Sequence, residues 1–191
     1  MSSQAKAHLT AEEYLALERK APYKSEYLKG EMFAMTGASR RHNLISLNIG
    51  AELRAQLRQR PCEVYTSDMR VKLGATGLYT YPDVVVVCGE PAFEDAEVDT
   101  LLNPILLVEV LSKSTEDHDR GGKFEHYRTL PSLHEYLFVA QEKCHVVHYT
   151  RQTDHTWLLS ETRDIDDHLH LACICCDLVL SEVYAKVSFD P

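Results

Sequence analysis

The 191-residue sequence has no run of eighteen apolar residues, so no segment of it reads as a membrane-crossing helix. Its first residues, Met1-Ser2-Ser3-Gln4-Ala5-Lys6-Ala7-His8, lack the apolar core of a signal peptide, and a cytoplasmic protein is expected. No phosphate-cradling glycine loop is present, and Gly121-Gly122 reads as the entry to a helix. The Gly-x-Ser-x-Gly turn of a serine hydrolase is also missing, and Ser112 and Ser114 have no marked histidine partner. Positive charge is scarce. Twenty Lys and Arg against 29 Asp and Glu leave a net charge of -9, which argues against polyanion binding by the overall field. Repeats, low-complexity tracts and linkers are absent. What remains is 45% hydrophobic, enough for a sizeable core, and residues 1–191 read as one domain.

The six cysteines, Cys62, Cys88, Cys144, Cys173, Cys175 and Cys176, lie in or beside apolar strand-like runs. Disulfides are rare in the cytosol, so all six read as reduced thiols acting as small core residues. His168 and His170 near Cys173, Cys175 and Cys176 suggest zinc, but the spacing matches no common knuckle. The alternation His168-Leu169-His170-Leu171 is that of a half-buried strand.

Charge is unevenly distributed. Residues 40–60 contain five arginines against one acid, Glu52, and residues 90–99 contain five acids and no base. Arg40, Arg41 and His42 open the basic stretch near a helix start, where backbone N–H groups favour a phosphate. The duller reading is an exposed polar first turn.

Thr10-Ala11-Glu12-Glu13 is a capping box for a short helix, and Pro22 lies beyond its end. Residues 23–35 read as a hairpin turning at Lys29-Gly30. Residues 39–59 carry helical periodicity through Leu44, Ile45, Leu47, Ile49, Leu53 and Leu57. Strands follow at 62–66, 69–73 and 81–88, then an acidic loop, a strand around Glu109 and a helix from Lys123 to Thr129. Another hairpin spans 134–150, with further strands near Trp157 and Leu169 and a short helix from Ser181. This order reads as an α/β or α+β domain.

The chemistry concentrates in two apolar strands. Tyr81-Pro82-Asp83-Val84-Val85-Val86-Val87 opens on a proline-aspartate pair, and Ile105-Leu106-Leu107-Val108-Glu109-Val110-Leu111 encloses one glutamate. Strands this apolar are central and buried on both faces, where an ionised carboxylate costs several kcal/mol unless a cation meets it. On adjacent strands, Asp83 and Glu109 can share a hard cation such as magnesium or manganese. Lys123 supplies a further positive charge for a phosphodiester displacement. The competing readings are a structural ion pair of Lys123 with one acid, and a core of such pairs with no ligand. Tyr127 sits one helical turn after Lys123, where it reads as packing against the lysine stem or, more simply, as a plain core tyrosine. Asp68 reads as turn chemistry or as part of the same cleft.

This pattern resembles the PD-(D/E)XK nuclease superfamily, although Leu111 stands where the usual lysine would follow Glu109. It is more similar to the Uma family of restriction-endonuclease-like proteins, in which the lysine has moved to the following helix. The matching segments are Ser25-Glu26-Tyr27-Leu28-Lys29-Gly30-Glu31, Ser67-Asp68-Met69-Arg70-Val71, Tyr81 to Val86, Val108 to Ser112 and Asp119-Arg120-Gly121-Gly122-Lys123-Phe124, with Tyr136. The resemblance implies an α/β, restriction-endonuclease-like core, a central mixed β-sheet flanked by helices. It also implies a DNA-cutting metal site at Asp83, Glu109 and Lys123 with Glu26 as a further acid, and a homodimer. The alternative it leaves is an inactive nuclease-fold module that binds nucleic acid or a protein.

Overall fold

A computed structural model describes residues 8–111 and 122–189 of the chain. Ser112, Ser114 and the Asp119-Arg120-Gly121 segment lie outside the described residues, as do Met1 to Ala7. The elements run α1 (Ala11–Glu18), β1 (Ser25–Leu28), β2 (Glu31–Ala34), α2 (Arg40–Leu57), β3 (Cys62–Thr66), β4 (Arg70–Leu73), β5 (Leu78–Thr80), β6 (Val84–Cys88), β7 (Thr100–Leu101), β8 (Leu106–Leu111). After them come α3 (Phe124–Tyr127), β9 (Glu135–Ala140), β10 (Val146–Arg151), β11 (Trp157–Thr162), β12 (His168–Leu171), β13 (Cys176–Val179) and α4 (Leu180–Val183).

Six strands form a mixed sheet in the order β11-β10-β9-β8-β6-β3, in which β8 and β9 run parallel. A five-stranded sheet, β2-β1-β5-β4-β7, and the β12-β13 ribbon accompany it. β6 and β8 occupy the interior of the large sheet and are buried on both faces, as their unbroken apolar runs require. Alternation then sorts their side chains. Val84, Val86, Leu106, Val108 and Val110 pack with Ile45, Ile49, Leu53 and Leu57 of α2. Val85, Val87, Leu107 and Leu111 pack on the other side with Tyr127, Tyr136, Phe138 and residues of β4, β5 and β7. Asp83 and Glu109 share the parity of this second set.

α2 forms where Ser39 caps it, its hydroxyl accepting from His42 N at 3.1 Å. The buried residues 45, 49, 53 and 57 recur every fourth position. Leu47, grouped with them by hydropathy, falls between turns of that stripe and is 63% exposed. α1 begins with the expected capping box, Thr10 Oγ1 accepting from Glu13 N and Glu13 Oε2 accepting from Thr10 N. The Lys29-Gly30 turn is made by two left-handed residues (φ 49° and 92°), the geometry of a tight hairpin. The strand expected over 81–88 is interrupted: β5 ends at Thr80, and pairing resumes at Val84 after Pro82, which has no amide to donate.

The cysteine reading needs correction. Cys62 and Cys88 form a disulfide, while Cys144, Cys173, Cys175 and Cys176 are free. The two lie directly opposite one another in the antiparallel β3–β6 ladder with Cα atoms 4.0 Å apart. Strand pairing, hidden by a sequence separation of 26, brings them together. Thiol titration in denaturant without reductant is therefore expected to count four reactive cysteines, and six after reduction. Six in both conditions would contradict the bridge.

Candidate active site

The register of the central strands explains the pairing of acids. Val84 lies opposite Val108 and Val85 opposite Leu107, so Asp83, one step before the ladder, lies opposite Glu109. Asp83 Oδ2 accepts from the amide of Val110 at 2.8 Å and from His42 Nε2 at 3.0 Å. The backbone of the neighbouring strand thus fixes the carboxylate. His42 stands on the first turn of α2, and its other nitrogen, Nδ1, is buried without a hydrogen bond among the described residues.

Glu109 is 5% exposed. Its Oε1 accepts from the Tyr127 hydroxyl at 2.6 Å and from Lys123 Nζ at 3.3 Å. Lys123 Nζ is also 3.3 Å from Glu26 Oε1, and Glu26 Oε1 accepts from Thr80 Oγ1 at 2.5 Å. The lysine therefore bridges two acids carried by different sheets, Glu26 on β1 and Glu109 on β8. Its own backbone lies at the start of α3. The structure brings Glu26, Asp83, Glu109 and Lys123 together, and adds Tyr127, Thr80 and His42.

Among the described residues, acids outnumber cations at the site. Burial pushes the Glu109 carboxyl up to about 7; Lys123 opposes this, Asp83 and Glu26 add to it, and the Tyr127 hydroxyl opposes it. Burial disfavours the His42 imidazolium, but its bond to Asp83 and the charges of Asp83 and Glu109 outweigh that, and its pKa lies above the ordinary value. Burial and the adjacent acids hold the Tyr127 phenol well above its usual range, so it serves as a neutral donor.

Among the described residues, three carboxylates face one lysine and one histidine, which is the imbalance a divalent cation corrects. Among the described residues, no hydrogen bond is made to Asp83 Oδ1 or Glu109 Oε2, so each acid keeps one oxygen for another partner. No group of three or more His, Cys, Asp or Glu is gathered tightly enough for a metal ion among the described residues. Two carboxylates nonetheless match a magnesium site, which commonly completes its shell with water and substrate oxygens. The donor set fits. A cavity of about 550 Å³ opens beside Asp83, lined by Lys24, Thr36, His42, Asn43 and Ser46 among others.

The residues expected to touch a nucleic-acid backbone separate. Arg40 is exposed at the head of α2, Arg41 is bonded to Glu142, and His42 turns into the site. Asp68 is exposed and paired with Lys24 at 2.9 Å. His170 is paired with Asp177 at 2.8 Å, on a strand that alternates exposed and buried residues as read from the sequence. Tyr127 was legible as core or as packing on the Lys123 stem, not as a donor to Glu109. Its position four residues after Lys123, on one helix face, is the signal that ties it to the lysine's target. Thr80 carries no such signal, because only β-sheet pairing sets it beside Glu26.

Residues 11–180 match the family model described as "Uma2: Putative restriction endonuclease". An uncharacterized protein of Synechocystis is 42% identical over 153 residues, covering 80% of this chain and 86% of that one. A second protein of the same organism is 35% identical over 181 residues, covering 95% and 94%. A solved structure from Anabaena variabilis, titled "a putative nuclease belonging to DUF820", superposes with a TM-score of 0.77 at 16% identity, covering 94% of this chain and 99% of that one. The last likeness establishes a shared fold, mixed α/β with a central mixed sheet. With its core segments and nearly its whole length accounted for, the chain belongs to the Uma2 family of restriction-endonuclease-like proteins.

Proposed function

We propose that the chain is a metal-dependent endonuclease that hydrolyses DNA phosphodiester bonds, with Asp83 and Glu109 holding magnesium or manganese. The observation that carries this reading is the placement of those two acids opposite each other in the β6–β8 register, with Lys123 bridging Glu109 and Glu26. Family membership points the same way. When bound, the cation would activate water and neutralise charge on the phosphate. The remaining work belongs to the chain. Val110 N–H and His42 orient Asp83, and Tyr127 orients Glu109. Lys123, paired with Glu26 and Glu109, places a positive charge where negative charge develops on the phosphate. Glu26 holds the ammonium in position and stands ready to orient water.

The decisive substitution is Asp83→Asn rather than Asp83→Ala. Alanine leaves the buried Val110 N–H without an acceptor, at a cost of about 1–3 kcal/mol, whereas asparagine keeps a carbonyl there. Asp83→Asn is expected to retain near wild-type melting while plasmid nicking in magnesium falls by about 10³ or more. Nicking at the wild-type rate would remove Asp83 from the site. A second reading, a non-catalytic nucleic-acid-binding module, is favoured by the absence, among the described residues, of any group of three or more His, Cys, Asp or Glu that could hold a metal ion. Calorimetric titration with magnesium separates the two, because the module predicts no heat of binding that Glu109→Gln removes.

A further inference from the structure

On the far side of α3 lies a second cavity, of about 510 Å³, whose walls include Phe124, Tyr149, Trp157, Arg128, Arg151 and His155. The Phe124 and Tyr149 rings stack with centroids 4.0 Å apart, and Trp157 meets Phe124 edge-on at 5.3 Å. All three rings are only partly buried. The Arg151 guanidinium lies 4.7 Å from the Trp157 ring centroid. It is fixed there by donating to the carbonyls of Leu133 at 2.7 Å, Arg128 at 2.9 Å and Leu130 at 2.6 Å. Arg128 is exposed, and its side chain makes no ion pair among the described residues. The described residues lining the cavity include no carboxylate, in a chain whose net charge is -9.

Aromatic faces next to uncompensated guanidinium groups are what an unpaired nucleotide recognises. Every base has a π-face to stack, and every phosphate seeks an arginine. A cavity of this size accommodates one nucleotide. We propose that this pocket binds an unpaired nucleotide of a nucleic-acid strand, its base against the partly exposed Trp157 ring and its phosphate at Arg128. Its place in a reaction rests on the nuclease reading; binding itself does not. Lys123 and Phe124 are consecutive, so α3 contributes one residue to each site. Following the register from Glu109 through Phe138 and Val147 to Glu161, Trp157 lies three strands across and four residues along. That is roughly 20 Å from Glu109. The pocket would thus hold a nucleotide a few positions from the bond that is cut.

Trp157 is the only tryptophan, so its fluorescence reports this pocket alone. In metal-free buffer, a thymidine oligonucleotide of about a dozen residues is expected to quench it saturably, and a blunt duplex much less. Arg128→Ala should weaken binding roughly tenfold and reduce the slope of log K against log salt by about 0.7. Unaltered binding in Arg128→Ala, equal quenching by duplex, or oligonucleotide binding seen by anisotropy with no change at Trp157 would each overturn the proposal, as would no binding at all. Persistent quenching in a protein that never cleaves would refute the nuclease reading and leave the pocket standing.

Discussion

Glu109→Gln is expected to abolish magnesium-dependent nicking and, in the absence of metal, to make the protein more stable. The two effects have one origin. The folded protein holds the Glu109 carboxyl near 7, against 4.5 for an ordinary glutamate, chiefly because the group is buried. Below about pH 4.5 it is protonated in both folded and unfolded chains and costs nothing. Between 4.5 and 7 the folded state alone keeps the proton, so stability falls as pH rises. Above 7 the penalty is complete, at most about 3 kcal/mol. Glutamine keeps the shape and still accepts from Tyr127, but carries no charge to desolvate. At pH 8 in chelator its melting temperature should exceed that of the wild type by roughly 4–10 °C, and at pH 4.5 the two should coincide. Adding magnesium should reverse the ranking at pH 8, because only the wild type gains from binding. A variant that melts with the wild type across this range, or that still nicks plasmid, would refute the account.

The largest loss of stability is expected at Arg70, well away from the carboxylates. This residue is 3% exposed. Its guanidinium donates to Thr100 Oγ1 at 2.9 Å and Tyr81 OH at 3.1 Å, and it pairs with Asp99 at 2.7 Å. Tyr81 donates in turn to Glu18 at 2.8 Å, which accepts from the Ser25 amide at 2.8 Å. Asp99 also holds Arg19 at 2.8 Å. One side chain therefore ties β4 to β7 and, through Tyr81 and Asp99, to α1 and β1. Arg70→Ala strands these groups, at a cost of about 3–5 kcal/mol, and melting should drop by roughly 6–15 °C. Arg70→Lys should recover little, because an ammonium cannot present the planar fork that reaches three partners. The bonds from Arg19, opposed by partial burial and joined by Arg70, hold the Asp99 carboxyl well below its usual range. Its contribution is present above the ordinary carboxylate pKa and is lost as pH falls below it. The gap between wild type and Arg70→Ala should narrow in acid. A constant gap would exclude Asp99 as the partner.

Much of this was legible in the chain. Runs such as 84–87 and 105–111 can only be central strands, and an acid within them demands a cation, so Asp83, Glu109 and Lys123 stood out without coordinates. The capping box at Thr10 and the Lys29-Gly30 turn depend on neighbours in sequence and were equally readable. Contacts made through pairing were hidden. Cys62 meets Cys88, Glu26 meets Thr80, and Arg70 meets Asp99, each through alignment of distant strands, and Glu26 on β1 meets Lys123 at the start of α3. His42 shows the same limit from the other side. Composition placed it in a basic surface patch with Arg40 and Arg41, yet the helix phase that buries Ile45 and Ile49 also swings His42 toward Asp83.

The alternation of side chains along β6 and β8 carries a further cost for misfolding. If either strand slid by one position, its acid would lose its hydrogen-bond partners and enter the hydrocarbon layer against Ile45, Ile49 and Leu53. An unpaired carboxylate there is worth several kcal/mol of penalty, a large share of what any domain has to spare. The groups suited to cutting a phosphodiester thereby act as proofreaders of strand alignment, and single-residue insertions or deletions in either strand should be the least tolerated changes in the chain.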